Sequence, residues 1–106
     1  MSKIGKIIAS YGWNVKYDTF NINFNIPFSQ QTNELNEDLL QASKDSYIID
    51  IGFYPEGDPH GKIITVLTAN RCFDSQIMKF EDTNYPCFKN HVKYLLEQVK
   101  NEEIKP

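Results

Sequence analysis

Two apolar runs on either side of a turn-rich loop constrain this chain more than any other feature. Residues 47–54 and 62–69 are rich in β-branched and aromatic side chains, and almost all of residues 55–61 are turn formers. Such a pattern predicts a β-hairpin with a longer loop. The second run is apolar at both alternating positions, which favours a place in the middle of the sheet, covered on both sides.

Apolar residues at helical spacing predict a helix near each end of the chain. The two stripes are Ile4, Ile7, Ile8 and Tyr11 at the start, and Phe88, Val92, Leu95, Leu96 and Val99 at the end. A narrower stripe within residues 30–44 predicts a third, surface helix. Its apolar members are Leu35, Leu39, Leu40 and Ala42.

Residues 13–26 alternate between apolar and polar, but the parity switches near Asp18 and Thr19. A two-residue hairpin loop at these positions and a bulge in one long strand both explain the switch. Residues 77–80 complete a meander with the central hairpin. The predicted order is α-β-β-α-β-β-β-α, an α+β fold in which helices pack on one face of an antiparallel sheet of about five strands. The length of 106 residues predicts a single domain over residues 1–106.

The net charge of −3 is concentrated in the middle of the chain and argues against a nucleic-acid binder. Residues 29–61 carry seven acidic side chains against one lysine. No apolar run is long enough to span a bilayer. Neither a signal peptide nor a disulfide framework is indicated by the start of the chain and its two cysteines. We therefore expect a cytoplasmic protein, monomeric or weakly dimeric.

Three arrangements of reactive side chains are considered, and none has the spacing of an established motif. Cys87 and His91 lie four apart on the last helix, and with Cys72 and His60 they contain ligand types that zinc prefers. Either cysteine beside a histidine has the residue types of a nucleophile and its base. Asp50 lies within an apolar strand, where burial would suit a general acid or base. Structural roles explain these residues better, so we predict no enzyme, no metal and no cofactor.

The loop of the central hairpin carries a recognisable pattern. Residues 50–61 read Asp-Ile-Gly-Phe-Tyr-Pro-Glu-Gly-Asp-Pro-His-Gly. This resembles a D-x-G-aromatic-x-P-E-x-D-P-x-G pattern of small bacterial immunity proteins from polymorphic and contact-dependent growth inhibition toxin systems. The resemblance covers residues 47–99 and includes the helix near the end. Phe53 stands where that pattern more often has tryptophan.

The resemblance implies a dedicated inhibitor of the C-terminal toxin domain of a delivered effector, often a nuclease, whose active site or substrate access it blocks. A basic nuclease would complement the acidic middle of this chain. The alternatives are an adaptor for a partner that is not a toxin and, less favoured, a small enzyme. Charge and turn chemistry, rather than the resemblance, predict the contact residues. They are Asp50, Tyr54, Glu56, Asp58 and His60, with Glu34, Glu37 and Asp38 as a second patch.

Overall fold

Five antiparallel strands form one sheet in which neighbours along the chain are also neighbours in space. The computed structural model describes residues 1–69 and 76–101. The strands are β1 (Asn14–Asp18), β2 (Leu40–Lys44), β3 (Tyr47–Tyr54), β4 (Lys62–Ala69) and β5 (Gln76–Asp82). Helix α1 (Lys3–Ser10) precedes the sheet, and helix α2 (Tyr85–Lys100) follows it. The predicted α+β class with a five-stranded antiparallel sheet is confirmed.

The central hairpin forms as the sequence predicts. Strands β3 and β4 pair along their whole length, from Tyr47 opposite Ala69 to Tyr54 opposite Lys62. Successive side chains of a strand point to opposite faces. Ile49 and Ile51 are completely buried on one face, whereas the intervening Asp50 lies on the other. The hairpin therefore separates an apolar face from a second face that carries a carboxylate.

Both helices pack on the apolar face of the sheet. The side chains of Ile4 and Ile8 from α1 join the same core cluster as Ile49 and Ile51. All five residues of the predicted stripe in α2 are buried there as well, namely Phe88, Val92, Leu95, Leu96 and Val99. Ser2 caps α1, and the Asn84 side chain caps α2 by accepting from the Cys87 N–H at 2.9 Å. Capping and an apolar stripe together explain why these two predictions hold.

The strand predicted for residues 20–26 is wrong, and neither the hairpin nor the bulge at Asp18 and Thr19 occurs. The chain leaves the sheet after Asp18, and the only irregularity in the β1–β2 pairing lies between Val15 and Tyr17. Residues 19–27 are irregular and cover the start of α2. Phe20 stacks on Phe88 with ring centroids 5.3 Å apart. The alternating apolar residues thus pack against a helix instead of pairing with a strand.

The helix predicted for residues 30–44 is also wrong. Its place is taken by two short 3-10 turns, Phe28–Gln30 and Thr32–Glu34, followed by strand β2. In β2, Leu40 pairs with Ile51 and Ala42 with Ile49, so both apolar side chains reach the core. The spacing of Leu35 and Leu39 mimicked a helical stripe, but pairing with β3 buries this segment better. The observed order of helices and strands is α-β-β-β-β-β-α.

Within residues 1–69 and 76–101, neither helix combines the length and apolar character that a membrane span needs.

Candidate functional site

Tyr17, Gln41 and Asp50 form a polar row on the sheet face that points away from the core. Gln41 lies opposite Tyr17 in the β1–β2 pair and opposite Asp50 in the β2–β3 pair. Residues directly opposite each other in an antiparallel pair project to the same side. Strand pairing therefore brings Tyr17 to the same face as Asp50, although the two are far apart in sequence.

Residues 36–39 bring two further carboxylates onto this face. They run beside β3, held by a hydrogen bond from the Phe53 N–H to the Asn36 carbonyl at 2.8 Å and by one from the Leu39 N–H to the Ile51 carbonyl at 3.0 Å. Between these bonds, the Glu37 carbonyl passes so close to Gly52 that a Cβ at residue 52 would overlap it. Glycine at this position is required for the close approach.

Two hydrogen bonds connect the central hairpin and its loop to residues 36–39. The Glu56 carboxylate accepts from the Glu37 N–H at 3.2 Å, and the Tyr54 hydroxyl donates to the Glu37 carbonyl at 3.3 Å. These bonds join the two patches that the sequence suggested separately. We call the combined surface the acidic face. It comprises Tyr17, Glu37, Asp38, Asp50, Tyr54 and Glu56.

Asp50 is the carboxylate of the acidic face that has a buried oxygen without a hydrogen bond among the described residues. This oxygen is the Oδ1 atom. Burial raises the pKa of Asp50 above the ordinary value, and repulsion from Asp38 raises it further. Both effects disfavour the ionised form, so a nearby cation would relieve them.

Burial and the carboxylates of the acidic face also raise the pKa values of two tyrosines. The pKa of Tyr17 is raised first by burial and then by the charges of Asp50 and Asp38. Burial likewise raises the pKa of Tyr54, with further increases from Asp50, Glu37 and Asp38. Their rings beside the carboxylates provide faces on which a cationic side chain can stack.

The structure brings together five of the eight predicted contact residues, namely Glu37, Asp38, Asp50, Tyr54 and Glu56. The other three have no described bond to this group. The Asp58 carboxylate accepts from the His60 N–H at 2.8 Å, which stabilises the loop itself. Glu34 lies in the second 3-10 turn and is half-buried. Tyr17 was missed because only the pairing of β1 with β2 reveals its position.

The structure also gives the surroundings of the cysteine and histidine side chains that were considered above for metal binding and catalysis. His91 Nδ1 lies 2.9 Å from both carboxylate oxygens of Asp82, whose side chain is 3% exposed. Asp82 therefore fixes the orientation of this imidazole. Cys87 is a free, exposed thiol, and Cys72 lies outside the described residues. No group of three or more histidine, cysteine or acidic side chains in the described part of the chain is placed to hold a metal.

Two grooves lie away from the acidic face. They have volumes of about 520 and 540 Å³ and meet at Phe24 and Tyr85, beside the start of α2. Their walls combine aromatic rings with asparagine side chains from residues 21–25 and with Asn84. The acidic face is instead an open surface of the sheet, and an open charged surface suits a macromolecular partner better than a small substrate.

The chain matches no protein-family model, and no similar protein was found among curated proteins or solved structures.

Proposed function

We propose that this protein is a cytoplasmic immunity protein that binds a cognate toxin domain through the acidic face. The toxin domain would be basic and nuclease-like, and the bound inhibitor would cover its active site or the path of its substrate. Two independent lines support this proposal. One is the resemblance of residues 47–99 to bacterial immunity proteins, and the other is the chemistry of the acidic face.

Charge and aromatic content make the acidic face suited to a basic protein. Four carboxylates, from Glu37, Asp38, Asp50 and Glu56, lie on one surface with two tyrosines. Enzymes that act on polyanions present cationic clefts, so opposite charge would speed the encounter and align the two surfaces. Tyrosine is enriched among the residues that dominate binding energy at interfaces. A complex formed here would thus combine electrostatic steering with aromatic anchors.

The buried, unpartnered Oδ1 atom of Asp50 is the observation that carries the proposal. A buried acceptor without a donor costs about 1–3 kcal/mol. In the free protein, repulsion from Asp38 adds to this cost. An arginine or lysine side chain of the partner, placed against the solvent-accessible part of this carboxylate, would supply the opposite charge. The same group therefore destabilises the free chain and favours the complex.

The first experiment captures the natural partner. Tagged protein is incubated with lysate of the native bacterium, washed at moderate and then high salt, and the retained proteins are identified by mass. We expect one basic C-terminal fragment of a large secreted or surface protein, released as salt screens the charges. A single partner unrelated to any toxin would favour the adaptor instead. Failure to retain any specific protein would contradict both interpretations.

The second experiment tests the face with the captured domain. Isothermal titration calorimetry compares Glu56→Lys and Asp38→Lys with the unmodified chain, and we expect each to weaken binding at least about tenfold. Glu97→Gln is the control, because Glu97 lies on α2 and the amide still accepts the Tyr11 hydroxyl bond of 2.6 Å. Unchanged affinity in both lysine variants would exclude the acidic face. Asp58→Lys then shows whether the contact extends to the loop tip.

A further inference from the structure

Strand β5 ends the sheet, and its outer edge faces no other strand among residues 1–69 and 76–101. It is seven residues long, so it presents a row of backbone donors and acceptors to an incoming strand. We propose that two copies of this chain associate by antiparallel pairing of β5 with the same strand of a partner subunit. This inference is independent of the proposed function and uses a different part of the molecule.

An aromatic cluster supports β5 on the side of the helices. The Phe80 ring stacks on His91 with centroids 4.3 Å apart and an interplanar angle of 8°. Tyr94 meets the same ring edge-on at 6.2 Å and remains 50% exposed. The bond from Asp82 holds His91 in place. The cluster is thus pre-ordered and partly open to solvent, as expected of an anchor for a partner.

The order of charges along β5 selects a second copy as that partner. Lys79 and Glu81 are both exposed and lie on either side of Phe80. When two β5 strands pair antiparallel with Phe80 at the centre, Lys79 lies opposite Glu81 of the partner subunit, and the reverse pair forms by symmetry. The central pair is then Phe80 with Phe80 of the partner subunit. Opposite charges and aromatic rings are both favourable cross-strand neighbours.

Two neighbouring registers also place the helices of both copies on the same side of the joined sheet, and both registers are unfavourable. Centring the pair on Lys79 places two ammonium groups opposite each other, and centring it on Glu81 places two carboxylates opposite each other. Like charges directly opposite each other are destabilising. A lysine on an edge strand usually prevents association with other strands. Here Lys79 would block the wrong registers while stabilising one particular pairing.

Sedimentation equilibrium from micromolar to millimolar protein tests the proposal. We expect a reversible monomer–dimer equilibrium for the unmodified chain. Lys79→Glu and Glu81→Lys should each weaken dimerisation at least about tenfold, since each creates two like-charged pairs. An equimolar mixture of these two variants should restore dimers, because each strand then opposes one of the other charge. The double variant carrying both changes should also dimerise.

A control variant shows whether weaker dimerisation comes from the proposed interface or from the loss of an ion pair within one subunit. Lys62 Nζ lies 4.0 Å from Glu81 within the same subunit, so Lys62→Gln removes that ion pair without changing the proposed interface. We expect this variant to dimerise normally, and circular dichroism should show that every variant is folded. A chain that stays monomeric at millimolar concentration would overturn the proposal. So would single variants that dimerise like the unmodified chain, or a mixture that does not recover.

Discussion

One face of strand β3 is packed against the helices, whereas the other carries a carboxylate with a buried oxygen that has no hydrogen bond among the described residues. Ile49 and Ile51 are completely buried against the helices, whereas Asp50 between them has a buried oxygen without a partner. One face therefore stabilises the fold, and the other carries a local cost. A carboxylate that costs stability in the free protein is a candidate for a functional contact, since proteins depart from folding rules mainly at functional sites. This contrast is the reason for which we propose the acidic face as the contact surface.

The largest effect on stability is expected from removing a side chain of the apolar face. We expect Ile51→Ala to lower the free energy of unfolding by about 2–5 kcal/mol, because a large fully buried side chain is replaced by a cavity. Urea denaturation followed by circular dichroism measures this change. The affinity of the folded fraction for the partner should remain unchanged. A loss below about 1 kcal/mol would contradict the assignment of this face as the core.

Gly52→Ala should disrupt the acidic face by displacing its backbone, without changing any charge. The added Cβ would overlap the Glu37 carbonyl, so residues 36–39 must shift, at an expected cost of about 1–3 kcal/mol. Displacement of Asp38 should also lower the pKa of Asp50 toward its ordinary value, which titration by nuclear magnetic resonance measures.

Gly57→Ala is the matched control for that substitution. Gly57 has a φ of 71°, but its added Cβ would meet only the Thr32 carbonyl, at 3.9 Å. We expect backbone strain of about 1 kcal/mol and an unchanged Asp50 titration. Equal effects of the two substitutions on Asp50 would show that the close approach at Gly52 does not position Asp38.

Asp50→Asn should change stability and partner binding in opposite directions. The raised pKa of Asp50 means that its ionised form costs stability at neutral pH. We expect the variant to gain less than about 1 kcal/mol at pH 7, since the side chain is partly exposed. Its affinity for the partner should fall.

The pH dependence of that gain in stability shows whether it comes from the charge of Asp50 or from packing. A carboxyl whose pKa is raised on folding stabilises the protein below its unfolded pKa, here 3.8, and this contribution is lost as pH rises through the folded pKa. Thermal unfolding across pH should therefore show the advantage of Asp50→Asn at neutral pH and little difference below pH 3.8. A gain that is constant across this range would indicate a packing effect instead.

The smallest effect is expected for the exposed ion pair between Lys62 and Glu81. The two groups are 4.0 Å apart, with side chains 55% and 47% exposed. We expect Lys62→Gln to change the free energy of unfolding by less than about 0.5 kcal/mol, measured by thermal unfolding at low and high salt. A larger, salt-sensitive loss would mean that charges on the outer side of the sheet stabilise the free protein.

Local sequence determined the parts of the fold whose signals are complete within one segment. The central hairpin, the two terminal helices and the buried stripe of α2 follow from periodicity, caps and turn formers. The acidity of residues 29–61 was equally visible in the sequence, whereas the role of its side chains as partner contacts stays a prediction. The hairpin, the helices and the stripe each depend on residues that are close along the chain.

Contacts between distant parts of the chain determine which segments pair and which surfaces meet. The alternation of residues 20–26 fits a strand as well as an aromatic cover for α2, and the spacing of Leu35 and Leu39 fits a helix as well as turns leading into β2. Packing against distant partners, Phe88 for one segment and β3 for the other, resolved both ambiguities. The same distant contacts placed Tyr17 beside Asp50 and Glu37 over Gly52. Pairing between residues far apart in the chain depends on the whole core, so no local pattern could specify it.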